Sequence, residues 1–521
     1  MSKAQIKKIL KKRLKDIFEG EIEVLPSSKE KFGDYCTNLP LVLAKDAQKN
    51  PIDLAQEMAK VVQGERIFEK VEVSKPGFIN FFLSKGYLKE SLARILKEKE
   101  SFGKVDFGKK KLVNLEFISA NPTGPLHVGN GRAAFFGDCL ARVLEFAGYR
   151  VFKEYFINDA KHNSQIKELG RTALGRGKSY LNEYLTKKIE KNKKILDKME
   201  DESEAGFFLA KEIQKDIQDF IERKLKIHFH SFVAEQELFE KSKVQKIYLW
   251  LKKQNLIYEK EGAFWIKISN FGAPKDEVLI RKDKTPTYFL SDIAYHKDKI
   301  DRGFKKIIDI WGADHQGHVK RMEAIMKILG FEGEFEILIS QIVTLKGGEK
   351  LSKRKGKIIL LEELVDEIGL DATRFFYLTR SLDKPLEFDF ELAKEKSQRN
   401  PLFYTQYAFA RICSLERKWG KKIKATKRIL DLISHPLEFE LIKQLIQLPD
   451  LVEEVAKNYQ IQLLPNYAQK LAQSFHHFYE QCQIISSDSN LTNARMALAL
   501  ATKIVLKKVF DLMGVFAPEK M

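Results

Sequence analysis

The chain of 521 residues has few cysteines and no long apolar run. Its four cysteines, at positions 36, 139, 413 and 482, lie far apart and include no C-x-x-C pair. This spacing excludes a zinc knuckle or a disulfide framework and fits a reducing compartment. No segment approaches the run of about 18 apolar residues that a membrane-spanning helix needs. There is also no internal repeat. We therefore expect a cytoplasmic protein of two to four globular domains.

The N-terminus lacks the features of a targeting peptide. Acidic residues follow soon after it, and no small-residue cleavage signal is evident. Its apolar residues recur at helical spacing and predict a first helix with one core-facing side. These residues are Ile6, Ile9, Leu10, Leu14, Ile17 and Phe18.

Basic residues greatly outnumber acidic ones. The net charge is +19 and the sequence pI is about 9.3. Such an excess favours a polyanionic partner such as RNA. Because lysines are spread along the whole chain, a generally lysine-rich, solvated surface remains an alternative.

The order of predicted elements divides the chain into three blocks. Residues 1–100 mix helix and strand patterns and predict a small α+β domain. A polar stretch at 101–111 leads into the second block, 105–390, where strands and helices alternate as in a doubly wound parallel sheet. Residues 395–521 have helical periodicity, with breaks near His435 and Asp488, and predict an all-α bundle. Within the second block, the lysine-rich insert from Lys187 to Glu204 is typical of an exposed charged helix or a connecting loop.

Three polar, glycine-rich loops follow apolar strand patterns in the second block. They cover residues 120–130, 311–318 and 344–357, after strands predicted at 112–118, 307–310 and 337–343. In a doubly wound sheet, ligands bind beyond the carboxyl ends of the strands. We therefore expect these loops to form one ligand site.

The first loop has the layout of a phosphate-binding turn. It leads into a helix predicted from Gly131 to Phe146, and a helix N-terminus attracts anions. His127 and Asn130 would share one face of the first turn, and Gly129 would allow a ligand to approach the backbone. The alternative is a helix cap with a hydrogen-bonded surface histidine.

The third loop contains KLSKR at residues 350–354. Gly347, Gly348 and Gly356 around it favour a mobile loop. Lys350 and Lys353 flank Ser352 and would supply charges and a hydroxyl to a triphosphate. The alternative is a solvated basic loop.

Other candidate ligands lie in three segments. The second loop, WGADHQGH, offers Gly312, Asp314, His315 and His318, which suit either a metal or a nucleotide; we favour the nucleotide. In YFLSDIAYH, Tyr288 and Asp292 share one face of a predicted helix, although a surface acid there is the alternative. Together with Glu235 in VAEQEL, Asp292 would suit a guanidinium or ammonium group.

In order along the chain, these segments resemble the motifs of arginyl-tRNA synthetases. Residues 127–130 resemble the HIGH signature of class I synthetases, and KLSKR resembles KMSKS. FGDYCTNLPLVLAK and PGFINFFLS are similar to the family's N-terminal domain. EYFINDAKHNSQI, YFLSDIAYHKDK and WGADHQGH are similar to its catalytic core. DATRFFYLTR, NPLFYTQYAFARICS and GVFAPEKM are similar to its anticodon-binding helical domain. The resemblance covers essentially the whole chain.

The resemblance implies a fold and a reaction. The fold would be a Rossmann-like α/β catalytic domain with a small α+β domain before it and an all-α bundle after it. The enzyme would join L-arginine to tRNA-Arg with ATP as substrate. Mg²⁺ would accompany the ATP, with no dedicated metal site in the protein. The family also implies a monomer that activates arginine only once tRNA is bound.

The resemblance further implies roles for individual residues. His127, Asn130, Lys350 and Lys353 would be catalytic. ATP would be bound by these four together with Pro122, Gly124, Gly129, Gly312, Asp314, His318 and Ser352. Arginine would be bound by Asn121, Tyr155, Glu235, Tyr288, Asp292 and His315.

The two terminal blocks would bind tRNA. The first block would grip the tRNA elbow, and the helical block would read the anticodon with Tyr404, Tyr407 and Arg411. Phe403, Phe409 and Trp419 are further stacking candidates. Aromatic residues at helical spacing are more often core residues, so core packing remains the alternative for this group.

Two positions depart from the family pattern. Asn130 replaces the last histidine of HIGH, and an asparagine cannot carry an imidazolium charge. Lys161 and His162 stand where the family has a small residue. Two alternatives to the arginine enzyme remain open: a class I synthetase for another amino acid, and a non-catalytic, basic RNA-binding paralogue.

Overall fold

The structure is a computed structural model, and it describes residues 2–15, 18, 20–27, 30–346 and 359–521. The chain forms two compact units. One contains residues 1–105, 395–459 and 463–521, and the other contains residues 106–394 and 460–462. The first and last blocks of the sequence therefore belong to one unit, and the middle block forms the other.

The N-terminal part of the first unit is a small α+β fold. Its helices are α1 (Ser2–Arg13), α2 (Leu39–Leu43), α3 (Pro51–Val62) and α4 (Lys85–Glu98). Its antiparallel sheet has the order β1 (Leu25–Pro26), β2 (Tyr35–Thr37), β4 (Phe78–Leu83), β3 (Phe68–Ser74). Ile6, Leu10 and Leu14 are fully buried, which confirms the core-facing stripe predicted for the first helix in the part that the structure describes.

The C-terminal part of the first unit is helical. Polar side chains start two of its helices at the predicted breaks. The His435 side chain accepts from the Leu437 N–H, and the Asp488 side chain accepts from the N–H groups of Asn490 and Leu491. Such caps satisfy backbone donors that have no partner within the helix. The helices of this part are α17 (Pro401–Trp419), α18 (Lys427–Leu430), α19 (Pro436–Leu445), α20 (Leu448–Asn458), α21 (Leu463–Gln481) and α22 (Ser489–Met513).

A five-stranded parallel sheet forms the centre of the second unit. Its order is β12 (Glu334–Ser340), β11 (Lys306–Gly312), β5 (Leu112–Glu116), β6 (Arg150–Ile157), β7 (Ser231–Ala234). The chain winds outward from β5 in one direction to β6 and β7, and then returns to β11 and β12 on the other side. This confirms the doubly wound sheet, and it places the topological switch point between β5 and β11.

Helices and two smaller sheets complete the second unit. The strands β8 (Ile257–Lys260), β9 (Ala263–Ile266) and β10 (Glu277–Ile280) are antiparallel, whereas β13 (Val343–Lys346) and β14 (Leu386–Asp389) pair in parallel. The helices are α5 (Val128–Phe146), α6 (Ser164–Ala173), α7 (Glu183–Lys191), α8 (Lys193–Leu196), α9 (Glu202–Asp219), α10 (Glu235–Glu240), α11 (Lys243–Lys253), α12 (Tyr288–Asp301), α13 (Val319–Ile328), α14 (Leu361–Ile368), α15 (Leu370–Leu378) and α16 (Phe390–Lys394).

Two details differ from the sequence prediction. Residues 344–346 were expected in a loop but belong to β13, where they pair with β14. The helix expected from Gly131 begins at Val128, because His127 caps it.

The lysine-rich insert is mostly helical, covering parts of α7 and α9 and all of α8. Within it, Lys188 is buried and contacts Asp216 at 2.6 Å.

All four cysteines are free thiols. Within the described ranges, no helix has the length and apolarity needed to cross a membrane.

Candidate active site

A large cavity opens at the carboxyl ends of the parallel strands. Its volume is about 1900 Å³, and it lies at the switch point where the fold predicts a ligand. The structure brings most of the predicted site residues together in its lining. These are Asn121, Gly124, His127, Gly129, Asn130, Glu235, Tyr288, Asp292, Gly312, Asp314, His315 and His318.

His127 and Asn130 cap the helix that begins at this cavity. The Gly129 N–H donates to His127 Nδ1 at 3.0 Å, and the His127 N–H donates to Asn130 Oδ1 at 2.9 Å. A side chain on residue 129 would place its Cβ 2.8 Å from His127 Cε1, so glycine leaves room for the imidazole. The cap that the sequence offered as an alternative is therefore present, inside the predicted ligand site.

The cap fixes the chemistry of both side chains. Because His127 Nδ1 accepts a hydrogen bond, the ring proton sits on Nε2 when the imidazole is neutral. Burial lowers the pKa of His127, which favours this neutral form. Asn130 uses its oxygen in the cap, so its amide NH₂ is left to donate. Both side chains can therefore offer an N–H group to an anion without carrying a charge.

A tight turn connects β5 to this loop. Ile118 and Ser119 have φ values of 71° and 39°, which are unusual for residues with a side chain. Ser119 Oγ donates to Glu116 Oε1 at 2.9 Å and accepts from the Phe156 N–H at 3.0 Å. Strained backbone of this kind persists only where surrounding contacts hold it, and it is common in binding sites.

The lysine motif lies outside the described residues, and so do Lys350, Ser352 and Lys353. The chain that follows it is described and is attached to the histidine loop. The Val128 N–H donates to the Ile359 carbonyl at 3.1 Å, and the Leu361 N–H donates to the Leu126 carbonyl at 2.9 Å. Leu360 and Glu363 also line the cavity. The chain segment that follows the second motif, from Ile359 on, therefore lies directly beside the first motif.

Two carboxylates in the cavity pair with no cationic side chain in the described part of the chain. Glu235, at the start of α10, is 1% exposed; its Oε1 accepts from Ser291 at 2.5 Å, and its Oε2 has no hydrogen bond within the described ranges. Asp292, on α12, is half-buried and forms no ion pair with any described lysine, arginine or histidine side chain. An unpaired carboxylate that is wholly or partly buried is costly unless a ligand supplies the opposite charge.

The ionisation of these carboxylates reflects their surroundings. Burial, together with the nearby carboxylates of Glu235, Glu116 and Asp309, raises the pKa of Asp292 well above its ordinary value. Burial also raises the pKa of Glu235, although the hydrogen bond from Ser291 opposes this. Strong pKa shifts caused by burial and like charges are typical of functional sites.

A buried ionic cluster lies at the floor of the cavity, where Glu116 and His296 line it, and sequence reasoning missed it. Lys299 Nζ donates to Glu116 Oε2 at 2.6 Å and to Asp309 Oδ1 at 2.7 Å. His296 Nε2 lies 2.8 Å from Asp309 Oδ2. The available signal was an acid at a buried strand position: Asp309 interrupts the apolar run of β11, and Glu116 ends that of β5.

Aromatic rings line the side of the cavity formed by residues 311–318. His315 lies between Trp311 and His318, with ring centroids 6.1 Å and 5.7 Å away. Tyr288 Oη is 2.7 Å from His318 Nε2, and burial lowers the pKa of His318. Across the described residues, no group of three or more His, Cys, Asp or Glu side chains is arranged to hold a metal ion.

Among the described residues, two that were predicted to bind a ligand, Pro122 and Tyr155, do not line the cavity. Tyr155 was expected to contact arginine, but it is fully buried below the loop, where its hydroxyl donates to the Ala120 carbonyl at 3.0 Å. Its ring packs against Phe229 and Phe232. Tyr155 points into the protein because it lies on a central strand with aromatic residues behind it, so it supports the loop.

The two atypical residues after Asp159 lie at the cavity or near it. His162 lines the cavity and packs edge-to-face against Phe239, 4.4 Å between ring centroids. Burial lowers the pKa of His162 to about 4. Lys161 Nζ contacts Glu204 at 2.6 Å. At neutral pH the unusual pair therefore adds a neutral ring to the cavity and an ion pair beside it.

The predicted tRNA-binding residues form a half-exposed group on helix α17 of the first unit. The Arg411 guanidinium lies 4.6 Å from the Tyr407 ring centroid and 4.5 Å from that of Tyr479. Tyr404 packs against His476 at 4.7 Å. Phe409, by contrast, is buried against Phe510, as the core alternative predicted for it.

Comparisons with known proteins identify the family. Residues 2–83 match the arginyl-tRNA synthetase N-terminal domain, residues 91–166 and 160–377 match the catalytic domain of class I tRNA synthetases (R), and residues 405–521 match the DALR anticodon-binding domain. The chain is 38% identical to the arginine–tRNA ligase of Caldanaerobacter subterraneus, over 100% of this chain and 99% of that protein.

The chain belongs to the arginyl-tRNA synthetase family. A second member of the family, the arginine–tRNA ligase of Dehalococcoides mccartyi, is 41% identical over 96% of this chain and 94% of its own length. The structure of Thermus thermophilus arginyl-tRNA synthetase has a TM-score of 0.82 and 20% identity, with full coverage of both chains. That likeness concerns the fold, and it agrees with the architecture predicted from the sequence.

Proposed function

We propose that this protein is an arginine–tRNA ligase that uses ATP to activate L-arginine and transfers it to the 3′ end of tRNA-Arg. The observation that carries the proposal is that one cavity contains both a capped helix N-terminus and two carboxylates that pair with no cationic side chain among the described residues. The first feature suits a triphosphate. The second suits a substrate with two cationic groups, and arginine carries both a guanidinium and an α-ammonium.

The reaction has two steps. In the first, a carboxylate oxygen of arginine attacks the α-phosphorus of ATP, and the bond to the β-phosphate oxygen breaks. This gives arginyl-adenylate and pyrophosphate. In the second, a hydroxyl of the terminal tRNA ribose attacks the arginyl carbonyl, and AMP leaves. Positioning of the reactants and stabilisation of phosphate charge supply the catalysis.

We assign ATP to the side of the cavity that contains the helix cap. The Nε2–H of His127 and the amide NH₂ of Asn130 would donate to the α-phosphate oxygens. Lys350, Ser352 and Lys353 would hold the β- and γ-phosphates, and the attachment of Ile359 to Val128 supports this position for their loop. Mg²⁺ would enter with the ATP phosphates. Gly124, Gly129, Gly312, Asp314 and His318 would surround the rest of the nucleotide, with Pro122 shaping the loop.

We assign arginine to the side that contains the unpaired carboxylates. Glu235 and Asp292 would pair with its guanidinium and α-ammonium groups. Asn121, Tyr288 and His315 also face this cavity and would complete the site. The arginine carboxylate would then lie toward His127, where the α-phosphate binds.

We assign tRNA contacts to the terminal blocks. Tyr404, Tyr407 and Arg411 would stack on unpaired anticodon bases, and residues 1–100 would hold the tRNA elbow. The middle block, 105–390, would perform the chemistry, and residues 395–521 would read the anticodon. We further propose a cytoplasmic monomer in which arginine activation requires bound tRNA.

The deciding experiment is ATP–pyrophosphate exchange with a panel of amino acids, with and without tRNA-Arg. We expect exchange with arginine alone among the amino acids, and only when tRNA is present. Charging of tRNA-Arg is then measured directly. Exchange with lysine instead would identify a different class I synthetase, and no charged tRNA under any condition would indicate a non-catalytic RNA-binding paralogue.

A further inference from the structure

Lys299 is a fully buried cation in the second unit. Its side chain is 0% exposed, and it is absent from the cavity lining. Its Nζ contacts the carboxylates of Glu116 and Asp309, and it lies 4.3 Å from the centre of the Tyr295 ring. A lysine is rarely buried so completely, and it is stable here because two carboxylates compensate its charge.

One of these carboxylates holds the nucleotide loop. Glu116 Oε2 accepts from Lys299, and its Oε1 accepts from Ser119 in the strained turn. This turn leads directly into the segment that ends at His127. If Lys299 did not fix the carboxyl group, one of the two hydrogen bonds that hold Ser119 in its unusual conformation would be weakened.

The other carboxylate leads to the arginine side. Asp309 Oδ1 accepts from Lys299, and Oδ2 lies 2.8 Å from His296 Nε2. His296 Nδ1 in turn lies 2.8 Å from the backbone carbonyl oxygen of Asp292. An unbroken series of contacts therefore runs from Ser119 through Lys299 to Asp292.

We propose that Lys299 is a positioning residue for adenylate formation, which holds the nucleotide loop and the arginine-binding residue Asp292 in a fixed relation. This inference rests on the proposed function, because it assigns ATP to one end of the series and arginine to the other. Attack on the α-phosphorus requires the two reactants to be aligned, and a displacement of about 1 Å can cost roughly 100-fold in rate.

The same sheet provides a control lysine. Lys306 is also buried and contacts two carboxylates, but those of Glu334 and Glu336 are 47% and 41% exposed, and none of the three residues lines the cavity. A general need for a charge partner at a buried lysine would affect both lysines. A positioning role predicts an effect on catalysis for Lys299 alone.

The test compares Lys299→Met, the triple variant K299M/E116Q/D309N, and Lys306→Met. Lys299→Met leaves two buried carboxylates uncompensated and is expected to lose stability. The triple variant removes the lysine charge together with both carboxylates, so we expect it to melt near the wild-type temperature. Its kcat for arginine-dependent exchange should nevertheless fall by about 100-fold. Lys306→Met should keep the wild-type kcat.

Glu116→Gln and Asp309→Asn give a second measurement that keeps Lys299 in place. We expect Glu116→Gln to raise chiefly the KM for ATP and Asp309→Asn chiefly the KM for arginine, with a non-additive effect when combined. A triple variant with wild-type kcat, or additive effects of the two single variants, would overturn the inference. Failure of the wild-type enzyme to charge tRNA-Arg would instead reject the proposed function.

Discussion

The two ends of the parallel sheet differ in how their carboxylates are paired. At the amino end, Lys306 contacts Glu334 and Glu336, and Lys111 also contacts Glu334 at 2.5 Å. At the carboxyl end, Glu235 and Asp292 pair with no cation in the described ranges, and burial raises the pKa of both. The carboxylates at the amino end therefore have protein partners, whereas those at the carboxyl end await a ligand. Carboxylates without a protein partner, more than charge as such, mark the binding site.

Removal of an unpaired carboxylate should give the largest effect. We expect Asp292→Asn to lower kcat/KM for arginine by about 30-fold or more, because loss of one partner of a buried charge pair costs about 2–5 kcal/mol. The melting temperature should not fall, since the free protein loses a carboxylate that burial disfavours. Steady-state exchange kinetics and thermal unfolding check both expectations.

Asp301→Asn is the control on the same helix, since Asp301 is exposed and pairs with Lys297. It should leave the kinetics unchanged. A melting temperature for Asp292→Asn that falls while arginine kinetics stay normal would contradict the comparison between the two ends of the sheet.

The pH dependence of arginine binding sharpens the comparison and should give an intermediate effect. The pKa values of Asp292 and Glu235 are raised in the free protein, and arginine requires the ionised forms. Affinity should therefore increase as pH rises through these raised pKa values, and binding should release protons. Stability of the free protein should change in the opposite direction, falling as pH rises through the same range.

Isothermal titration calorimetry in two buffers of different ionisation enthalpy measures the protons released on arginine binding. Asp292→Asn should release fewer. Equal proton release by the variant and the wild type would assign the titration to other groups.

A substitution in the helix cap, which lies beside the carboxyl ends of the strands, should give the smallest effect. Asn130→Asp keeps an oxygen that can accept from the His127 N–H, but it adds a negative charge where we place phosphate. We expect the KM for ATP to rise by about tenfold, since a like charge costs of the order of 1–2 kcal/mol at a partly exposed site, with little change in melting temperature. Asn130→Ala should lose about 1 kcal/mol of stability with the cap, and it should also weaken ATP kinetics because it removes the amide donor to the α-phosphate. Loss of stability in both variants alike would show that Asn130 serves the helix only.

Local signals allowed much of the site to be predicted. Glycines, helix caps and apolar strands identified the loops at 120–130 and 311–318, and both line the cavity. The same local signals did not decide the role of an individual residue. Tyr155 lies at a strand position that favours either a ligand contact or the core, and only packing against Phe229 and Phe232 decides between them. Likewise, the sequence presented cap and ligand as alternatives for His127, although its two ring nitrogens can serve both.

The sequence by itself determined the order of the blocks, the doubly wound sheet and the family, because these depend on periodicity and on motifs contained within short segments. Only the tertiary structure decided that the first and last blocks form one unit, that Tyr155 lies below the loop, and that Glu116, Lys299 and Asp309 form a cluster. Glu116 and Lys299 are 183 residues apart in the chain. A contact at that separation depends on how the strands are ordered in the sheet, and no local pattern records it.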